Sequence, residues 1–309
     1  MRLHHSITEL ATVPGPVFLA IGVFDGVHLG HQAVIGRALA DARAAKGTAV
    51  VVTFEPHPMR VMRPQQAPRL LTSSQHKALL IERLGVSDLL VVPFTPELAA
   101  VTPEDFVHQL HAACRPLCEI CVGHTWSFGR NRAGNLELLK VMGDQLGFDE
   151  VGIPAVEVDG EVVSSTLVRA AVEVGDLEKA SRLLGRDFTL LGTVEHGDHL
   201  GRTLGFPTAN LSAHNEQFPP NGVYAVEALY AGKMLPGVVN IGVRPTIENA
   251  SGARVLELHL LDFDADLYGQ DVEVIFRRLL RPERKFAGID ALKAQIACDV
   301  ADARRVLGV

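Results

Sequence analysis

The chain has 309 residues, enough for about two domains with cores of their own. Its 29 Lys and Arg against 36 Asp and Glu leave a net charge of −7, which argues against a general polyanion binder, because non-specific nucleic-acid affinity needs a basic surface. Apolar and charged fractions are those of an ordinary globular protein, and no apolar run approaches transmembrane length.

The opening MRLHHSITEL has no cationic segment feeding an apolar run, so no secretory signal is read and a cytoplasmic location is expected. From residue 17 to about 157 strands and helices alternate. The strands read as FLAIGVF, TAVVVTFEP, DLLVVPF, EICVG and VGIPAVEV. The helices between them read as HQAVIGRALADARAAK, SQHKALLIERLG, PEDFVHQLHAA and NLELLKVMGDQLG. Near-continuous apolar strands are those of a parallel sheet covered on both faces, so the pattern predicts a doubly wound α/β domain that binds ligands at the carboxyl ends of its strands. Cys114, Cys118 and Cys121 have a CxxxCxxC spacing also used for iron–sulfur clusters. Here, however, the triplet straddles a helix end and a strand, so these residues and Cys298 are read as reduced structural thiols.

Two helical segments follow, SSTLVRAAVEVG and LEKASRLLG, and then the pattern changes. From residue 188 to about 276 there are short β runs, FTLLGTVE, VYAVEALY, MLPGVVNIG, RVLELHLLDF and VEVIFRRL, separated by Gly, Pro and Asn. This predicts an antiparallel β-barrel or sandwich. Ile289, Leu292, Ile296, Val300, Ala303 and Leu307 recur at helical spacing and predict a terminal helix against it. The boundary is placed near 184–187, giving domains 1–185 and 186–309.

Residues 21–32, IGVFDGVHLGHQ, carry the strongest chemical signal. A buried strand breaks at Asp25-Gly26 and restarts as a helix around His31. His28 and His31, three apart, share one side of a first helical turn, and Gly30 lets a ligand approach the backbone. A helix N-terminus offers N–H groups and a positive dipole end to an anion, so this reads as a triphosphate site without a lysine-bearing P-loop. The motif resembles the HxGH signature of the nucleotidyltransferase superfamily. The longer GxFDGVHxGH is similar to that of the bacterial bifunctional riboflavin kinase/FMN adenylyltransferase (FAD synthetase) family. That resemblance implies a nucleotidyltransferase-like N-terminal domain and a riboflavin kinase-like barrel. It also implies ATP contacts from Gly22, Phe24, Asp25, Gly26, His28, Gly30 and His31.

Three more segments fit such a site. TFEPHP, by resemblance, shapes the flavin pocket through Glu55, Pro56, His57 and Pro58, although a plain strand-end turn also accounts for it. GHTWSFGRNRAGN departs from the family at Thr125 and Trp126 but keeps Phe128, and an indole also stacks on a planar ring, so all three stand as flavin contacts. Ser164-Ser165-Thr166-Leu167-Val168-Arg169 reads as N-cap chemistry in any protein. It also resembles the family's SSTxIR motif, with the hydroxyls on the ATP phosphates and Arg169 on the leaving pyrophosphate.

The β-rich half carries HGDHLGRTLGFPTANL, similar to the kinase fingerprint GFPTAN. The resemblance places Gly201 at ATP, Gly205 and Phe206 at the flavin, and Thr208 and Asn210 as oxygen ligands of the nucleotide's Mg²⁺. Arg244 and Asp262 follow as flavin contacts. In RVLELHLL, Glu257 and His259 share the face opposite the leucines, and Glu257 matches the kinase's general base. Arg277, Arg278, Arg281, Arg284 and Lys285 read as a solvated basic face or as neighbours of ADP or flavin. His28, His31, Arg169 and Glu257 are thus the catalytic candidates. The small-molecule partners are ATP, riboflavin, FMN and FAD, with no nucleic acid or membrane, and the oligomeric state is left open. Two other readings remain: an adenylyltransferase for another phosphate ester, or a flavin-sensing protein without turnover.

Overall fold

The apolar runs at residues 17–21 and 48–55 each fill the middle of a sheet, because every inner residue of both is buried. The computed structural model describes residues 1–195, 206–243 and 254–309. These form two compact units, one of Met1–Arg69 with Lys77–Ser165, the other of Leu70–His76 with Thr166–Val309. The division thus falls at 165/166, upstream of the 185/186 boundary read from the change in β pattern.

In the first unit six parallel strands are β1 (Arg2–His4), β2 (Val17–Ile21), β3 (Thr48–Glu55), β4 (Asp88–Pro93), β5 (Leu117–Gly123) and β6 (Asp149–Ile153). Their order is β1-β4-β3-β2-β5-β6. Alternation sorts the side chains: Leu19 and Ile21 enter one core with Val50, Leu110 and Leu139, while Phe18 and Ala20 enter the other with Ile35, Val51 and Ile81. The helices are α1 (Leu29–Ala44), α2 (Pro58–Met62), α3 (Ser74–Arg83, which belongs to this unit from Lys77 onward), α4 (Pro96–Ala99), α5 (Pro103–Ala113) and α6 (Leu136–Leu146). Caps set their starts: Thr102 Oγ1 accepts from Asp105 N at 3.1 Å, and Asn135 Oδ1 from Leu138 N at 3.0 Å. The chain winds outward from β2 through β3 to β4, then returns to β5 on the other side. The carboxyl ends of β2 and β5 therefore border the switch point where such sheets bind ligands.

Two details differ from the sequence reading. β1, too short for a periodic signal, pairs with β4 and is pinned by the buried Asp88, which is hydrogen-bonded to His4 and ion-paired to Arg2, each at 2.9 Å. Burial alone would raise the Asp88 carboxyl, but hydrogen bonds from His4, Ser87 and Arg2 hold it below its ordinary value. The predicted strand VGIPAVEV stops at Ile153, where Pro154 cannot donate. It resumes as a hairpin of β7 (Glu157–Val158) and β8 (Glu161–Val162) around Asp159-Gly160, both with positive φ.

In the second unit, α7 (Ser165–Val174) and α8 (Leu177–Leu184) precede a closed antiparallel barrel. Its strands are β9 (Thr189–Glu195), β10 (Ala209–Ala213), β11 (Gly222–Tyr230), β12 (Lys233–Val243), β13 (Arg254–Leu260) and β14 (Asp271–Pro282). Closure in the order β10-β13-β12-β11-β14-β9 removes every sheet edge. β10 was not anticipated, since the β runs expected from the sequence pass from FTLLGTVE directly to VYAVEALY. The terminal helix α9 (Ile289–Leu307) lies on the outer face, with Ala303, Val300 and Leu307 against Val223, Ala225 and Val238. Ile289, expected in that stripe, is instead 66% exposed at the helix start. A bidentate Arg281–Asp299 pair ties α9 to β14.

The segment Leu70–His76 belongs to the barrel unit through a buried polar network. The His76 ring meets Glu273 Oε1 at 3.2 Å, Thr189 Oγ1 at 3.1 Å and Asn215 Nδ2 at 3.1 Å. Asn215 Oδ1 in turn accepts from Leu191 N at 2.9 Å. Partly satisfied networks in a core are costly, so His76→Ala is expected to lower the stability of this unit by about 2–4 kcal/mol. Urea unfolding of the full chain checks this, and an unchanged midpoint would show the network to be dispensable.

Candidate active sites

At the end of β2 the chain must turn sharply to start α1, and its sequence is built for that turn. Gly22 N–H still pairs with Val52 O at 3.0 Å, and a Cβ at Gly22 would meet the Phe24 ring at 2.8 Å. Phe24 folds back with φ 53° and is buried, while Gly26 and Val27 also have positive φ, 84° and 42°. His28 is the N-cap of α1 in extended backbone, and its Nδ1 accepts from His31 N at 3.3 Å. A neutral His28 therefore carries its proton on Nε2, the nitrogen able to donate to an anion. The His28 and His31 rings stack with centroids 3.5 Å apart, and Phe24 meets His31 edge-on at 5.3 Å. A Cβ on Gly30 would press on the His28 ring at 3.2 Å. Ser165 Oγ donates to Asp25 O at 2.9 Å, so the SSTLVR motif begins at this turn, beside Ser164. Thr166 and Arg169 lie farther along α7, within the second unit.

Beyond the ends of β2, β3 and β5 lies a cavity of about 840 Å³, the size of a small-molecule site. His57, Pro58, Thr125, Trp126 and Phe128 line it, whereas Glu55 and Pro56 do not. His57 caps α2, its Nδ1 accepting from Met59 N at 3.1 Å. Trp126 stacks on Phe128 at 4.4 Å with planes 11° apart, forming a flat aromatic wall. Gly134 is needed for it, since a Cβ there would meet the Phe128 ring at 2.7 Å.

The barrel brings a second polar set together. Asn210 on β10 stands opposite Glu257 on β13 and, on its other side, opposite Glu195 on β9. Glu257 in turn stands opposite Asn240 on β12, whose Nδ2 donates to its Oε2 at 3.4 Å. Directly paired residues share a face, so Glu195, Asn210, Glu257 and Asn240 form one row on the outer surface, beyond the patch that α9 covers. The His259 ring donates from Nδ1 to Pro207 O at 2.8 Å and meets Phe206 edge-on at 5.8 Å, which fixes the start of PTAN. Thr208 is exposed beside this row. Among the described residues the row offers carboxamide and carboxylate oxygens, with the Thr208 hydroxyl beside it, the hard donors that a divalent cation requires. Gly201, Gly205 and Arg244 lie outside the described residues.

Other expected positions have structural partners. Asp262 is exposed and bound by Arg304 at 2.7 and 2.8 Å, and that guanidinium holds its carboxyl below the usual carboxylate range. Arg277 pairs with Asp187 and Glu227, Arg281 with Asp299, and Arg284 with Gln295, so these members of the basic cluster serve the barrel itself. The cysteines are free, and Cys114 packs in one core while Cys118 and Cys121 pack in the other, so the triplet does not converge. Burial pushes the Cys114 thiol up to about 12.

Two family models match the chain: FAD synthetase over residues 11–167 and riboflavin kinase over 184–307. The bifunctional riboflavin kinase/FMN adenylyltransferase of Escherichia coli K12 is 40% identical over 100% of this chain and 99% of its own length. That of Bacillus subtilis is 38% identical over 98% and 95%. The chain belongs to the bifunctional riboflavin kinase/FMN adenylyltransferase family.

A solved structure of a Streptococcus pneumoniae protein, described as a macrolide-efflux protein, superposes with a TM-score of 0.80, at 28% identity and 96% coverage of both chains. The fold carries over from it, but the efflux description does not. Among the described residues, no helix is long and apolar enough to cross a membrane. In this bifunctional family member the sequence motifs missed three site neighbours: Glu195, Asn240 and the buried Lys77. The last two were hidden because their partners, Glu257 and Val23, are distant in sequence.

Proposed function

We propose that the chain phosphorylates riboflavin to FMN on the barrel and adenylylates FMN to FAD at the His28–His31 turn, using ATP with Mg²⁺ in both steps. What supports the reading is that the His28–His31 turn and the Asn210–Glu257 row lie in different units, each with the donors its own transfer needs. At the barrel, the Glu257 carboxylate takes the proton of the riboflavin 5′-hydroxyl as that oxygen attacks the γ-phosphorus, and the bond to the β,γ-bridging oxygen breaks to release ADP. Thr208 and Asn210 would supply oxygen ligands for Mg²⁺, which when bound would neutralise charge on the phosphates.

At the first site no general base is needed, because the attacking FMN phosphate oxygen is already anionic. It bonds to the α-phosphorus of ATP, and the bond to the α,β-bridging oxygen breaks to release pyrophosphate. His28 and His31, with the N–H groups of the first turn of α1, stabilise charge on the phosphoryl oxygens, and Ser164 and Ser165, in the same unit, serve the leaving group. The isoalloxazine lies in the aromatic cavity on Trp126. Trp126→Ala should therefore raise the KM for FMN about tenfold, the loss of roughly 1.4 kcal/mol of stacking. Steady-state kinetics with supplied FMN check this, and an unchanged KM would remove Trp126 from the flavin site. The free thiols suit a reducing cytoplasm.

Purified chain given riboflavin, ATP and Mg²⁺ should form FMN and then FAD, and a chelator should stop both steps. FMN without FAD would point to an adenylyltransferase for another phosphate ester. Flavin binding without either product would point to a sensor.

A further inference from the structure

Lys77 lies within α3 with only 5% of its surface exposed, where a lysine ordinarily keeps its ammonium in water. Its Nζ donates to Val23 O at 3.1 Å and to Thr53 Oγ1 at 3.2 Å, and Thr53 Oγ1 donates to the same Val23 carbonyl at 2.9 Å. Both acceptors of the ammonium are neutral oxygens. Burial pulls its pKa down, and the carboxylates of Glu55 and Asp25 offset this only through space. An apolar side chain of similar length would occupy this place without that desolvation cost, so the charge calls for a reason beyond packing.

The Val23 carbonyl supplies one. Val23 is the hinge between β2 and the turn: it lines the aromatic cavity, and the next residue, Phe24, has φ 53°. Val27, four residues on, has φ 42°. Positive φ at two non-glycine residues persists only where the surroundings over-determine it. Two donors converging on one carbonyl at the start of the turn provide that constraint.

We infer that Lys77 is a positioning residue of the adenylyl-transfer site, its ammonium and the Thr53 hydroxyl together locking the Val23 carbonyl so that residues 24–31 hold their anion-binding shape before ATP arrives. Buried beneath the turn, Lys77 acts through the turn and does not touch the phosphates. The inference rests on the assignment of that turn to ATP, and it adds a residue from α3 that no motif marks.

The test uses the full chain with Lys77→Met, which keeps length but cannot donate, Lys77→Gln, whose carboxamide still donates, and Thr53→Val. FMN adenylylation, riboflavin phosphorylation and thermal unfolding are measured on each. Lys77→Met should lower kcat/KM for ATP in adenylylation by about 10²-fold, the cost of misplacing a site by about an ångström, and KM for ATP should rise. Lys77→Gln should regain about tenfold of this, and Thr53→Val should cost less in the Lys77→Met background than alone, because the two share one acceptor. Riboflavin phosphorylation should stay unchanged throughout.

The inference is overturned if kcat/KM for ATP of Lys77→Met stays within about threefold of wild type. It is equally overturned if the loss only follows the folded fraction, with KM for ATP constant. If Lys77→Met does not fold, the other two variants decide: a raised KM for ATP in both, with the kinase intact, supports the lock, and normal values in both remove it. A wild-type chain that makes no FAD would defeat the ATP assignment itself, an outcome distinct from active wild type with indifferent variants.

Discussion

Glu257→Gln is expected to lower riboflavin phosphorylation by about 10²–10⁴, the usual contribution of a positioned general base, equal to roughly 2.7–5.4 kcal/mol of barrier. The amide keeps the shape of the carboxylate, so the row with Asn210 and Asn240 should persist and riboflavin affinity should change far less than turnover. FAD formation from supplied FMN should continue, because its nucleophile is an ionised phosphate in the other unit. Both half-reactions and flavin affinity are measured on one preparation. A fall in kinase turnover of less than about tenfold would show that Glu257 is not the base.

Replacing His28 and His31 together with alanine should give the reverse pattern. Removing one preorganised donor typically costs about 10²–10³ in rate, and here both imidazoles of a stacked pair are lost, so FAD formation should fall below detection while FMN formation proceeds. The single variants should differ. His28→Ala also deletes the N-cap, a loss of about 1 kcal/mol, so it should lower the melting temperature of the first unit as well as its rate. His31→Ala leaves that backbone bond's acceptor in place and should act mainly on rate. Wild-type FAD synthesis by the double variant would sink the assignment.

Legibility followed the range of the physics. The central strands could be read because burial on both faces leaves a run such as AVVVTF no polar position, and the His28–Gly30–His31 turn because anion chemistry dictates its residue types. Glu257 was legible as a residue opposite the leucines, but its neighbours were not, since strand register is a pairing between distant segments. β10 was missed for a related reason: ANLSA has one fully buried residue, and only its two partner strands make it a strand. Lys77 reads from sequence as the wet face of an amphipathic helix, and nothing local says that Val23 and Thr53 wait above it. His76 is similar: its network joins residues more than a hundred positions away, which no window of α3 contains.

The central claim is that one chain transfers two different parts of ATP to the same flavin. Following radiolabel from ATP into flavins separates the two transfers directly, with riboflavin as the only flavin supplied. Label in the γ-phosphate should enter FMN and persist in FAD, while label in the α-phosphate should appear in FAD and never in FMN. An α label that enters no flavin, or a γ label that remains wholly outside FMN, would contradict it.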